Sequence, residues 1–280
     1  MNAQWIKNQA KSHARTWLRD KLASPILAPN SKFRNLHAGQ RCFILGSGMS
    51  IKLLDLKLLH GEIVMTQNHF HAHEDISVID PLYHVVVPKY QSSEYDSDWV
   101  TWLRSMDERL PVKTGIFLGE NTRYLVDKLG LFNERVYYIR QGYSAAFAGQ
   151  APVDLTKGIM IVPTVLTQCL AIALYMGFSE IILLGFDLDQ LCRIAERDKV
   201  RFYGLSPVTS NQAEISAEEG FAKSGEDWFN MWLIWRECNL LLTEANRRGI
   251  RIVNATPGGM LNVFDRTPFQ TVLSKTIQPS

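Results

Sequence analysis

Gly46, Ser47, Gly48 and Ser50 stand together in Arg41 to Ile51, RCFILGSGMSI, where a short apolar run stops and helical spacing resumes as LLDLKLL. That order reads as strand, tight glycine turn and helix start, and the exposed N–H groups of such a start favour phosphate or another anion. The third glycine of a dinucleotide fingerprint is missing, and Met49-Ser50 replaces the Gly-Lys-Ser/Thr of a Walker-type loop. The first expectation is therefore a phosphate-bearing ligand of another kind, with a bare turn as its rival. Asp187, after the apolar run Ile181 to Leu184, could accept ribose hydroxyls or hold magnesium, or simply cap the turn that follows it. Asn68 could bind a base or a sugar, with the same turn-forming alternative.

His69, His71 and His73 alternate, so an extended chain would put them on one face and a helix would align only His69 and His73. Beyond Glu74 and Asp75 they have no carboxylate or cysteine in a metal-site frame, and a polar wall of the ligand pocket is expected rather than a metal. Tyr203, in Arg201-Phe202-Tyr203-Gly204, offers a phenol that a closing lid could lay on a phosphate, or an aromatic that anchors a loop. Trp228, Trp232 and Trp235, four and three apart, are expected in the core rather than on a sugar-stacking platform.

Positioning these groups requires a sheet. Strands are predicted at Cys42 to Leu45, Glu62 to Thr66, Leu82 to Val87, Gly115 to Leu118, Val136 to Ile139, Gly158 to Val162, Ile181 to Leu184 and, last, Gly249 to Val253. Helices are predicted at 98–108, 121–129, 165–176, where Pro163-Thr164 starts the helix and Gly177 ends it, and 227–248. The alternation implies an α/β fold, a Rossmann-like and mostly parallel sheet with helices on both faces. Ligands of such sheets bind beyond the carboxyl ends of the strands, which places Gly46 to Ser50, Asn68, Asp187 and Asn254 on one rim. Residues 188–225, rich in charge and turn formers, read as a lid-like excursion.

Residues 3–22 carry Trp5, Ile6, Ala10, Ala14, Trp17, Leu18 and Leu22 on one stripe, with Lys7, Lys11, Arg15, Arg19 and Lys21 among the rest. This basic amphipathic helix fits an anionic membrane surface or a packed face of the protein itself. Residues 24–31, with two prolines, read as a linker, so the domains are 1–34, helix and linker, and 35–280, a nucleotide-binding catalytic domain.

The chain of 280 residues is 46% hydrophobic and can bury a substantial core, and its net charge of +2 excludes a whole-protein nucleic-acid footprint. Cys42, Cys169, Cys192 and Cys238 are scattered without a CxxC and read as buried thiols of a reducing compartment. No secretory signal opens the chain, and Gly158 to Ser179 is better explained by a strand and a helix than by a membrane span. A cytoplasmic protein is expected, at the inner membrane surface if the first helix binds lipid.

Ile44 to Ser50, Asn68, Pro163-Thr164, the helix end at Gly177 to Ile181, and Leu184 to Asp187 together resemble two related groups. One is the bacterial CMP-sialic-acid-dependent sialyltransferases of glycosyltransferase family 42. The other is the family named after archaeal 6-hydroxymethylpterin diphosphokinase, which the tail Gly249 to Thr256 with Leu261 and Phe264-Asp265-Arg266 is similar to as well. The resemblance covers roughly residues 40 to 270 by the order of its segments. It implies a nucleotide-sugar glycosyltransferase acting on a glycan or lipid-linked acceptor in surface-polysaccharide synthesis, without a cofactor. Gly46, Ser47, Gly48, Ser50 and Asn68 would hold the nucleotide, Thr164 would lie near the sugar, and His69, His71 and Asn254 would face substrate. Ser47 replaces an asparagine usual in that turn, and no histidine follows His84 to match the base of the sialyltransferases. The base would then be Asp187, Asp189, Glu226, Asp227 or a histidine of the 69–73 cluster, with Tyr203 on the departing phosphate. The rival is a diphosphokinase of a pterin-like alcohol using magnesium and ATP, with Asp187 and Asp189 on the metal. A third reading is a nucleotide-sugar-binding protein without catalysis.

Overall fold

The computed structural model describes residues 25–86, 96–141, 151–159, 164–189, 201–202 and 224–274. The predicted helix 3–22, Cys192, Tyr203 and most of the excursion 188–225 lie outside the described residues, as do the side chains of Glu226 and Asp227.

Nine parallel strands form one sheet: β1 Arg41–Leu45, β2 Val64–Gln67, β3 Tyr83–Val85, β4 Gly115–Gly119, β5 Val136–Gln141, β6 Gly158–Ile159, β7 Glu180–Leu184, β8 Arg251–Asn254 and β9 Asp265–Arg266. Their order is β6-β5-β4-β3-β2-β1-β7-β8-β9. From β1 the chain steps outward to β6, then returns to lay β7 on the other flank of β1. The helices are α1 Ile76–Ile79, α2 Asp96–Arg109, α3 Arg123–Leu129, α4 Val165–Met176, α5 Ser224–Arg247 and α6 Phe269–Ser274.

Cys42 to Leu45 of β1 and Ile181 to Leu184 of β7 are apolar without alternation because both faces are covered. Cys42 and Ile44 of β1, with Ile181 and Leu183 of β7, pack in the core that α4 and α5 close. Phe43 and Leu45, with Ile182 and Leu184, pack on the other side with Ile51, Leu56, Trp99, Trp102 and Phe269. All twelve residues of α4 are buried. Thr164 caps its start, its hydroxyl oxygen accepting from the Leu166 N–H at 3.3 Å, and Gly177 ends it at φ +79°.

Four expectations change. The helix expected after the glycine turn is two short 3-10 turns, Met49–Leu53 and Leu56–Leu59, because Asp55 interrupts the run and accepts from the Lys57 N–H at 3.2 Å. The expected linker is docked: Leu27 and Phe33 are buried, and the Asn30 amide donates to the carbonyls of Tyr138 at 2.8 Å and Leu155 at 2.9 Å. Arg251–Asn254 is not the last strand, since β9 pairs beyond it through two exposed residues with no apolar run to announce them. Trp228 and Trp232 are 61% and 51% exposed rather than core. Trp235 is half-buried, its indole N–H donating to Asn262 at 2.8 Å.

Candidate functional site

The strand order reverses between β1 and β7, so the turns that leave these two neighbours diverge and open a crevice. Three glycines let the turns cross closely. A Cβ on Gly46 would stand 2.4 Å from the Gly185 carbonyl oxygen, and one on Gly48 would stand 2.6 Å from the Asp187 carboxylate. Gly185 itself has φ +74°, and a Cβ there would meet Ile51 at 2.5 Å. The N–H groups are spent on this crossing: Gly46 donates to the Leu184 carbonyl at 2.7 Å and Gly48 to that of Gly185 at 2.9 Å. The anion at the start of the first 3-10 turn belongs to the protein. Asp187 accepts from the Ser50 N–H at 3.0 Å with one oxygen and from the Ser50 hydroxyl with the other. The glycines thus serve a close approach of two strands' exits, and the N–H groups of Gly46, Gly48 and Ser50 are engaged within the protein.

Above the crossing lies a polar cavity of about 80 Å³, lined by Ser47, Gly48, Gln67, Thr164, Gly185 to Asp189, Arg201 and Ile234. That volume suits one phosphate or a few waters, well below the several hundred Å³ of a whole drug-sized ligand site. A larger depression of about 430 Å³ lies at the opposite, amino ends of the strands, around Arg41 and Glu62. There Glu62 pairs with the Arg41 guanidinium and raises its pKa.

Five of the expected site residues, Ser47, Gly48, Thr164, Asp187 and Asp189, converge on this cavity. Asp187 is buried and Asp189 half-buried. Gly46 and Ser50 lie beneath it, in the crossing. The side chain the sequence reading missed is Arg201. Its backbone forms an isolated antiparallel bridge with Gly48, its guanidinium donates to the Ser47 hydroxyl oxygen at 2.8 Å, and the next N–H, of Phe202, donates to the Ser47 carbonyl at 3.2 Å. The signal was a basic residue within RFYG, beside the tyrosine that drew attention instead. One turn along α4 from Thr164, Gln168 is fully buried with neither amide atom hydrogen-bonded among the described residues.

The histidines are elsewhere. Residues Asn68–Ala72 form a 3-10 turn, neither strand nor α-helix, entered at Asn68 with φ +46°. The His69 ring lies flat on Trp102 at 4.4 Å, and His71 lies between the Asn68 carbonyl and the Ser105 hydroxyl, both at 3.2 Å. Burial lowers the His71 pKa to about 4 and that of His84 well below its ordinary value. None of these rings, nor Asn68, lines the cavity, and the described residues hold no group of three or more ligating side chains suited to a metal. Asn254, expected to face substrate, is buried and folds the next turn: its amide donates to the Leu261 carbonyl at 2.9 Å and accepts from the Thr256 N–H at 3.0 Å.

No protein-family model matches the sequence, and no curated protein matches it. Two solved structures to which the chain is similar are of the sialyltransferase CstII from Campylobacter jejuni. The complex with the substrate analogue cytidine-5'-monophosphate matches at 14% identity and a TM-score of 0.44, over 82% of this chain and 86% of that one. The complex with CMP-3FNeuAc matches over the same shares at 14% identity and a TM-score of 0.42. At this level no residue's role passes from one chain to the other.

Proposed function

We propose that this protein is a glycosyltransferase that takes a nucleotide-activated sugar, of the CMP-nonulosonate class, and passes it to a glycan or lipid-linked acceptor in surface-polysaccharide synthesis. The observation that carries the reading is the polar cavity at the β1–β7 switch point, where two hydroxyls, a guanidinium and two carboxylates converge. Glycosyl transfer needs a base for the acceptor hydroxyl and donors for the departing phosphate. We assign the proton to Asp189, which lines the cavity wall. The acceptor oxygen bonds to the anomeric carbon, its proton goes to Asp189, and the bond from that carbon to the phosphate oxygen breaks. The engagement of Asp187 with Ser50 weakens the diphosphokinase reading, which needs its oxygens for magnesium.

CMP, CDP, UDP, GDP and ATP, each with and without magnesium, separate these readings by thermal shift. A ligand at 100 times its Kd adds about 2.7 kcal/mol, several degrees in a domain of this size. Stabilisation by CMP without metal is expected, whereas a shift by ATP only with magnesium would turn the assignment to the kinase. Asp189→Asn is expected to keep CMP affinity and lower kcat by about 10²–10⁴. Action at the inner membrane surface is part of the proposal through residues 3–22, and co-sedimentation with anionic vesicles should fall when Lys7, Lys11 and Arg15 are changed to Glu. Among the described residues no helix is long and apolar enough to cross a membrane.

A further inference from the structure

We propose that Arg201, set on Ser47, is the anion clamp of the switch-point cavity and takes phosphate oxygens above the glycine turn. This deepens the nucleotide-sugar reading and rests on it for the identity of the ligand, though not for the anion site itself.

The first ground is that four N–H groups of the turn are already engaged and a carboxylate stands on it. The N–H groups of Gly46, Gly48, Ser50 and Ile51 donate to Leu184, Gly185, Asp187 and Gly48 respectively. The carboxylate of Asp187 stands directly on the turn, 2.6 Å from where a Cβ of Gly48 would be. A phosphate reaching the bare turn would meet a like charge, so a cation must intervene.

Arg201 is that cation, and it is held in place. The bridge to Gly48 and the Phe202 N–H on the Ser47 carbonyl fix its backbone over the turn. Phe202 anchors the pair against Phe70 and His73, with ring centroids 5.2 and 5.1 Å away. One N–H of the guanidinium donates to the Ser47 oxygen at 2.8 Å, and Arg201 lines the cavity. Among the described residues no Asp or Glu forms an ion pair with it, although Asp187 and Asp189 line the same cavity.

The hydroxyls complete the set. The Ser47 oxygen accepts from Arg201 and the Thr164 oxygen accepts from Leu166, so each keeps its hydroxyl hydrogen to donate into the cavity. A planar fork with donors left over, flanked by two hydroxyl donors in about 80 Å³, matches the size and lone-pair geometry of one phosphate group. The ligand class is a phosphate ester or diphosphate, with the rest of the nucleotide outside this pocket.

Calorimetric titration of the full chain with CMP, cytidine and inorganic pyrophosphate tests this, using the natural protein, Arg201→Gln and Arg201→Lys. Arg201→Gln should weaken CMP at least 10-fold and leave cytidine within 2-fold, Arg201→Lys should recover part of the loss, and the unliganded melting temperature should stay within about 2 °C, as for a surface polar change. Equal loss of CMP and cytidine would make Arg201 only a strap for its own segment and overturn the proposal, as would undiminished CMP binding. Pyrophosphate binding that depends on Arg201, without any nucleotide binding, would keep the clamp and remove the nucleotide-sugar reading. CMP binding indifferent to Arg201 would do the reverse, and a natural protein that binds none of the three probes would remove both.

Discussion

Two turns at the carboxyl ends of adjacent strands carry similar polar residues and meet opposite fates. After β2, the histidines are absorbed: His69 is stacked on Trp102, His71 is bonded at both nitrogens, and Arg109 of α2 donates to the His71 carbonyl at 3.0 Å and that of Ala72 at 3.3 Å. After β1, much of the backbone is engaged in the crossing with β7, yet a cation and hydroxyls line a cavity. The lesson is that the same kind of polar residue at a strand end can be packed under a helix or left lining a cavity, according to what covers it. The helix α2 covers one turn, and among the described residues a cavity lies over the other.

The largest effect should come from tightening the open turn. Gly46→Ala places a methyl 2.4 Å from the Gly185 oxygen, a backbone atom held in the sheet, and should cost about 3 kcal/mol or more. Urea unfolding reads this directly, and a cost below about 1 kcal/mol would mean that the crossing is slack. The closed turn should reveal itself through pH. His71 is held neutral by burial down to about pH 4, whereas the unfolded chain takes up its proton below about 6.5. Its contribution is therefore complete above 6.5 and is lost as pH falls toward 4, by up to about 3 kcal/mol, with His84 acting in the same direction. His71→Gln should flatten the fall of melting temperature between pH 6.5 and 4; parallel slopes would show that this turn accepts a proton without opening. A smaller effect is expected from Asp187→Asn, which leaves one Ser50 donor facing an amide N–H₂ and should cost about 1–2 kcal/mol by thermal unfolding. The least should follow His73→Ala in the half-buried part of the histidine turn, within about 1 kcal/mol in the same assay.

Local signals were legible. Helix α4 runs from Val165 to Met176 between a threonine cap and a glycine stop, as expected, because both signals act within a few residues. The parallel sheet followed from apolar runs separated by helices. What was hidden depends on contacts far along the chain. Nothing near Ser50 announces that its partner is Asp187, and nothing near Ser47 announces Arg201, at separations of 137 and 154 residues. The docking of residues 27–33 is hidden for the same reason: two prolines suggest a linker, while Phe33 finds Phe117 and Tyr137 across the sheet. The alternation of the 69–73 histidines left an extended and a helical backbone open, and the chain takes neither: it makes a 3-10 turn, set by packing under α2.

The placement of β7 beside β1 also sets a clock for biogenesis. At ~5–20 residues per second, the partner of β1 leaves the ribosome roughly 7 to 27 s after it, judged by the separation of Ser50 from Asp187. Through that interval one edge of a central strand with four consecutive buried apolar residues is unpaired, and α4 emerges before α5 can shield it. This architecture ties folding yield to nascent-chain protection, so expression at low temperature or with added holdase chaperones should raise recovery of native protein more than any single surface substitution.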